Sequence, residues 1–249
     1  MTRNLEEAQT QLYHSDKLAS IGRLAAGVAH EINNPLTGVL TYSSYLLKRS
    51  KDDPEMKSDL EVVVRETKRC RDIVKDLLDF ARPISASKKS ANINDIIDRA
   101  LNIVANQLSF RNIAVHKRFM DSLPDVSIDQ GQLQQVFINL LVNAADAIGD
   151  EGGEISISTQ TVLFQGKEHI QVEVKDTGCG IAKENLSKIF EPFYSTKENK
   201  GIGLGLSVVW GIIDKHQGTI TVDSELNKGS TFTIRLPVYQ GDSLIRKDR

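Results

Sequence analysis

Tryptophan occurs once in this chain of 249 residues, cysteine twice and proline six times, and no stretch is apolar for a membrane's width. Each shortage excludes something. Two cysteines, Cys70 and Cys179, are too few for a disulfide framework and lack the paired spacing of a zinc site. They read as free thiols in a reducing cytosol. Without a run of roughly 18 apolar residues the sequence offers no transmembrane helix and no membrane contact. Its opening, MTRNLEEAQTQ, is too polar for a secretory signal. Positive charge is not in excess either: 31 basic against 33 acidic residues give a net charge of −2, which provides no nucleic-acid surface. The composition, 40% hydrophobic and 26% charged, is that of an ordinary soluble chain, and the length allows one large domain or more than one. Met1 begins either a cytoplasmic protein or the cytoplasmic part of a longer, membrane-attached one.

Two regions differ in the period of their apolar residues. From about Leu5 to Leu47 these fall at helical intervals, through Leu12, Ile21, Leu24, Val28, Ile32, Leu36 and Val39. A second helical run passes through Met56, Leu60, Val63, Cys70, Val74 and Leu77 to Ala81. Between them SKDDPE sets Pro54 in a first-turn position, and Pro83 closes the second helix. PISASKKSAN then reads as a linker. Two helices in a hairpin cannot bury stripes this long by themselves. Pairing with a second copy into a four-helix bundle buries them, so residues of roughly 5–82 are expected to form a homodimer. The alternative is packing against the rest of the same chain.

Beyond Ala91 strands and helices mix. Ile93–Leu108 and Gln130–Ile148 read as helices, the second apolar at Leu133, Val136, Phe137, Leu140, Leu141 and Ala144. IAVHKRF alternates as a strand, and EISISTQTVL pairs with HIQVEVKD across a QGKE turn. A short helix around Lys183–Ile189, a long one over Leu204–His216, and the strands TITVDS and STFTIRLP complete the region. The expected architecture is an α/β sandwich, one mixed sheet with helices on one face.

Three elements of this second region converge on one chemistry. Asn139 and Asn143, in NLLVNAADAI, are four apart and share a helical face, where amide oxygens suit Mg²⁺ and amide nitrogens suit phosphate. DTGCG places Asp176 at a strand end, followed by Gly178 and Gly180; a carboxylate there can accept from an exocyclic amine while the glycines let backbone approach a flat base. GIGLGL, with Gly201, Gly203 and Gly205, runs into a helix whose N-terminus favours anions. Neither better-known nucleotide loop fits: Leu206 stands where the dinucleotide fingerprint needs glycine, and Gly166-Lys167 is followed by Glu168.

In this order, and with FEPFYSTK between the second and third, these elements resemble the ATP-binding domain shared by sensor histidine kinases, DNA gyrase and MutL. The resemblance covers roughly Ala91–Val238. It implies that Asn139 ligates Mg²⁺, Asn143 contacts the triphosphate and Asp176 binds the adenine amine. It further implies a lid between Asp176 and Gly205 anchored by Phe190 and Phe193, with Lys197 reaching the γ-phosphate. GSTF resembles the closing strand, where a hydroxyl, Ser230 or Thr231, helps hold the base through water. One departure is Asp146, where many relatives carry a basic residue, so neutralising the phosphates falls more on Mg²⁺ and Lys197.

LASIGRLAAGVAHEINNPL, from Leu18 to Leu36, separates the members of that wider group. A neutral imidazole, with a reference pKa of about 6.5, can attack phosphorus at His30 without activation. Glu31 can fix its tautomer and stabilise developing charge, Asn34 shares its face, and Pro35 weakens the helix there and allows a local bend. HEINNPL resembles the phosphoacceptor box of sensor histidine kinases, which implies that Asn34 orients a water for dephosphorylating a partner. The resemblance implies ATP-dependent autophosphorylation of His30 and transfer to an aspartate of a response regulator docked on the helical bundle. The expected organisation is a dimerisation and phosphoacceptor hairpin over 1–82, a linker over 83–92, an ATP-binding domain over 93–238 and a tail over 239–249. A gyrase-like ATPase with a dimerising arm is the alternative.

Overall fold

The computed structural model describes residues 32–50, 53–81, 88–109, 112–196 and 203–238. The chain divides into two compact units: residues 1–84 with 192–204, and residues 85–191 with 205–249. His30, Glu31, Lys197 and Gly201 lie outside the described residues, as do Pro83 and the tail.

Among the described residues the first unit holds two helices, α1 over residues 32–49 and α2 over Pro54–Ala81. Asp53 caps α2, its carboxylate accepting the Met56 N–H at 3.0 Å, while Pro54 takes the first helical position, where an N–H has no intrahelical partner. α1 continues through Pro35 over the described residues, and Asn34 is exposed on it. Ile32, Val39 and Leu46 on α1, and Met56 and Val63 on α2, follow the helical stripe read from the sequence, and within a single chain all are exposed, as is Tyr42.

The second unit is an α/β sandwich. Its five-stranded sheet has the order β2-β4-β5-β7-β6, formed by Ile113–Arg118, Gly153–Phe164, Lys167–Asp176, Gly229–Pro237 and Thr219–Glu225. β2 runs parallel to β4 and every other pairing is antiparallel, so the sheet is mixed. Gln165 and Gly166 both take positive φ, the geometry that closes a tight hairpin between β4 and β5. Register puts Ile157, Val174 and Phe232 in line across three strands, and beside them Thr159, Val172 and Ile234. This is the buried face of the sheet. The opposite face carries Ser158, Glu173, Thr233 and their polar neighbours.

Helices α3 (Ile93–Ser109), α4 (Gln130–Ile148) and α5 (Gly205–Lys215) form the second layer, with α4 between the other two and against β4, β5 and β7. α4 begins where the sequence pattern sets it, because Asp129 caps it through a 3.0 Å bond from the Gln132 N–H. Leu133, Val136, Phe137, Leu140 and Leu141 are all buried beneath it.

Three local expectations change. Lys89–Ala91, read as the end of the linker, forms β1 and pairs antiparallel with β3, Val126–Ile128, as a small second sheet. The helix expected around Lys183–Ile189 is one 3₁₀ turn, Lys183–Asn185, followed by further turns. α5 occupies Gly205–Lys215, one residue inside each end of the expected range.

Candidate functional site

Two clusters are built on α4, one beside its middle and one at its C-terminus. Asn139 and Asn143 are half-buried at the edge of the apolar stripe, turned towards the start of α5. The Asn139 amide nitrogen donates to the Gly205 carbonyl at 3.3 Å, and its oxygen accepts from Gln135 Nε2 at 2.9 Å. A methyl group on Gly205 would lie 3.8 Å from the Asn143 amide nitrogen, so both asparagines converge on the first residue of that helix. Amide nitrogens and the N-terminal N–H groups of a helix together make a neighbourhood that attracts anions.

At the other end of α4, the 176–181 loop docks. The Cys179 N–H donates to the Ala147 carbonyl at 3.0 Å, satisfying a carbonyl that the helix end leaves open. Gly178 approaches so closely that a Cβ would lie 2.7 Å from that carbonyl oxygen. Gly180, at φ 69°, has the Glu225 carbonyl where a side chain would be, and Gly229, at φ 98°, has the Asp176 carbonyl. Only glycine serves at these two positions, by backbone conformation and by space. The loop and the β6–β7 turn therefore interlock through backbone, helped by a 2.8 Å bond from the Asn227 N–H to the Cys179 carbonyl.

Asp176 ends β5 with 3% of its surface exposed. Its Oδ1 accepts two backbone N–H groups, from Gly178 at 2.8 Å and from Ser230 at 3.2 Å. Oδ2 takes none from the described residues. Burial raises the carboxyl above its ordinary value, and the two N–H bonds pull it back down. The result is a fixed carboxylate with one saturated oxygen and one available to an incoming N–H donor.

Register decides between the two hydroxyls of the closing strand. Thr231 pairs with Lys175 and Asp223 on the polar face of the sheet, opposite to Asp176. Ser230 lies on the Asp176 face, is buried, and sits 3.0 Å from the Ser224 hydroxyl. The hydroxyl facing this cluster is thus that of Ser230, not that of Thr231. Ser224 itself was not singled out in the sequence, where TITVDS reads only as an alternating strand. Gly203, at φ 74°, belongs to a segment in which the Phe193 N–H donates to the Gly203 carbonyl at 3.1 Å.

The described residues would fit Mg²⁺ through an amide oxygen. Among the described residues no three His, Cys, Asp or Glu side chains are grouped to hold a metal. An Asn139 amide oxygen would supply a single hard ligand, as suits an ion that keeps waters and takes its other ligands from phosphate.

Residues 128–240 match the family described as histidine kinase-, DNA gyrase B- and HSP90-like ATPase. Residues 20–86 match the His Kinase A (phospho-acceptor) domain. The catalytic domain of histidine kinase ThkA is 32% identical, with a TM-score of 0.52, over 60% of this chain and 96% of that one. The chain belongs to the histidine kinases. ThkA in complex with its response regulator TrrA aligns over 95% of this kinase chain and 67% of that one, at 28% identity and a TM-score of 0.65. Full-length ShkA in complex with AMPPNP aligns at 26% identity and a TM-score of 0.72, over 86% of this chain and 45% of that one. Sensor histidine kinase ZraS of Escherichia coli is 36% identical over 99% of this chain and 51% of its own length. The kinase chain thus spans about half of that relative. Both halves of the family are matched, which disfavours the gyrase-like alternative. Among the described residues no helix is long and apolar enough to cross a membrane.

Proposed function

We propose that this chain binds Mg·ATP, phosphorylates His30 and passes the phosphoryl group to an aspartate of a response-regulator receiver domain. The observation that carries the nucleotide half is Asp176, whose buried carboxylate keeps one oxygen for an N–H donor beside glycine-only backbone. The match of residues 20–86, which include His30, to a phospho-acceptor domain supports the other half.

In this reading Asp176 takes the adenine amine. Asn139 and Asn143 face the phosphates with Gly205, and Lys197, Gly201 and Gly203 would serve the phosphate end. Bound Mg²⁺, held through Asn139, would neutralise charge on the phosphates. The neutral His30 imidazole then attacks the γ-phosphorus. An N–P bond forms, the bridging P–O bond breaks, and its electron pair leaves on ADP. Glu31 stabilises the positive charge that develops on the ring, and Asn34 orients water in the reverse, phosphatase direction. Residues 1–82 would serve as the dimerisation and phosphoacceptor region, 93–238 as the ATP-binding domain. The exposed stripe on α1 and α2 supports a homodimer closed as a four-helix bundle. A cytoplasmic setting, as part of a longer sensor, fits the ZraS alignment.

The test is to incubate the chain with Mg²⁺ and γ-labelled ATP, map the label, and add receiver domains. Acid-labile, base-stable label that is absent from His30→Gln supports the proposal. Label that persists in His30→Gln overturns it.

A further inference from the structure

The donor–acceptor pattern around Ser224 is complete. Its hydroxyl accepts the Ile181 N–H at 2.8 Å, lies 2.9 Å from the Gly229 carbonyl and 3.0 Å from the Ser230 hydroxyl. A carbonyl cannot donate, so the single Ser224 proton goes to Gly229. A serine oxygen has two acceptor positions. One is filled by Ile181, and the other takes the Ser230 proton. Ser230 is then left with its proton committed and its oxygen able only to accept. Its own backbone N–H meanwhile holds Asp176 Oδ1.

We infer that Ser224 is a specificity-determining positioning residue: by consuming the Ser230 proton it leaves only acceptors, Ser230 Oγ and Asp176 Oδ2, on the base side of the site. Two acceptors favour a 6-amino purine, directly or through a water, and disfavour a 6-oxo purine, whose oxygen would meet lone pairs. This inference rests on the ATP reading of the site. Ser224 touches no base itself. It acts through Ser230, and through Ile181 it also fixes the end of the glycine loop.

Loss of Ser224 has an effect that general loosening does not produce. In Ser224→Ala the Ser230 hydroxyl is released and can turn its proton towards the base, so a 6-oxo purine gains a donor while adenine keeps the oxygen as an acceptor. The experiment measures dissociation constants of ATP and inosine triphosphate for the whole chain, for Ser224→Ala, for Ser224→Thr and for Ser230→Ala. Gaining one directed hydrogen bond to the 6-oxo purine in a shielded site is expected to narrow the preference for ATP about tenfold in Ser224→Ala. Ser224→Thr keeps a hydroxyl and should restore the preference. Ser230→Ala should also narrow it, with no gain in affinity for inosine triphosphate. Equal weakening of both nucleotides in Ser224→Ala, or an unchanged ratio, overturns the inference and leaves the ATP site standing. A wild-type chain that binds neither nucleotide overturns the ATP reading and this inference with it. Should Ser224→Ala fold poorly, Ser224→Thr and Ser230→Ala decide, since the inference requires opposite outcomes from them.

Discussion

The Ser230 backbone N–H and the Gly178 backbone N–H fall on the same oxygen of Asp176, at 3.2 and 2.8 Å. Doubling on Oδ1 orients the carboxylate from two sides, one from the closing strand and one from its own loop, and leaves Oδ2 without a partner among the described residues. Burial of the group raises its carboxyl, and the two backbone dipoles, with no counter-charge, act against that rise.

Asp176→Asn separates binding from stability. Because burial raises the Asp176 carboxyl in the folded state, ionisation at neutral pH works against folding. A neutral amide of the same shape can still accept both N–H bonds through its oxygen but turns an NH₂ towards the adenine amine. ATP affinity should fall by a factor of ten or more, as about 1.4 kcal/mol per tenfold implies for one lost directed contact. The melting temperature at pH 7 should hold or rise. Calorimetric titration and thermal unfolding check the two halves, and a falling melting temperature contradicts the electrostatic account.

Glycines of this unit differ in what they can tolerate. Gly180 has positive φ and a carbonyl in the place of a side chain, whereas Gly211, inside α5, has open space around its would-be Cβ. Gly180→Ala should cost about 1–3 kcal/mol of stability or more and weaken nucleotide binding. Gly211→Ala should gain about 0.5–1 kcal/mol through helix propensity. Urea unfolding of the pair reads both, and similar effects at the two positions would contradict the packing.

His216 makes stability depend on pH. It is buried, its Nε2 accepts the Asp129 N–H at 3.0 Å, and its Nδ1 lies 2.7 Å from the Ile212 carbonyl, so the ring is neutral with its proton on Nδ1. Burial lowers its folded pKa below 6.5; the Ile212 bond and Asp129 oppose this, while Lys88 and Lys215 reinforce it. The unfolded chain therefore binds the proton more readily. Stability from this group is complete above about pH 6.5 and is lost as pH falls through that value towards the folded one. Wild type should lose more stability than His216→Gln between pH 7.5 and 5.5. Equal losses in the two chains would refute the assignment.

Asn139→Ala tests the metal. The half-buried side chain makes a 3.3 Å bond to Gly205 and a 2.9 Å bond with the exposed Gln135, so its removal should cost about 1–2 kcal/mol. Autophosphorylation should nevertheless collapse in Asn139→Ala, as it should in wild type treated with a chelator. Full Mg²⁺-dependent labelling of the variant would remove Asn139 as a ligand.

Long, strongly periodic segments were legible in the sequence, and features set by pairing were not. α4 occupies Gln130–Ile148 as read, because its apolar stripe repeats and Asp129 supplies a cap. β1 and β3 escaped because three residues each, KSA and VSI, are too short to show alternation. Asp176, Gly178 and Gly180 stood out as candidates by residue type and order, but choosing Ser230 over Thr231 required knowing which residue each strand position faces. A shift of one residue reverses the face. Ser224 carried no local signal, since its importance lies in three partners from other segments.

One helix spaces the two ends of the candidate site. The Asn139 side chain reaches α5, while Ala147, about two turns further on, receives the base-side loop, a spacing of roughly 12 Å along the axis. If the proposed site is right, α4 is a gauge block for the nucleotide's length. Adding or removing one residue between these points would turn one end by about 100° against the other and carry the asparagines away from Gly205. Segments such as the β4–β5 turn have room to change length, but the stretch 139–147 would then have a dimension dictated by the molecule it measures.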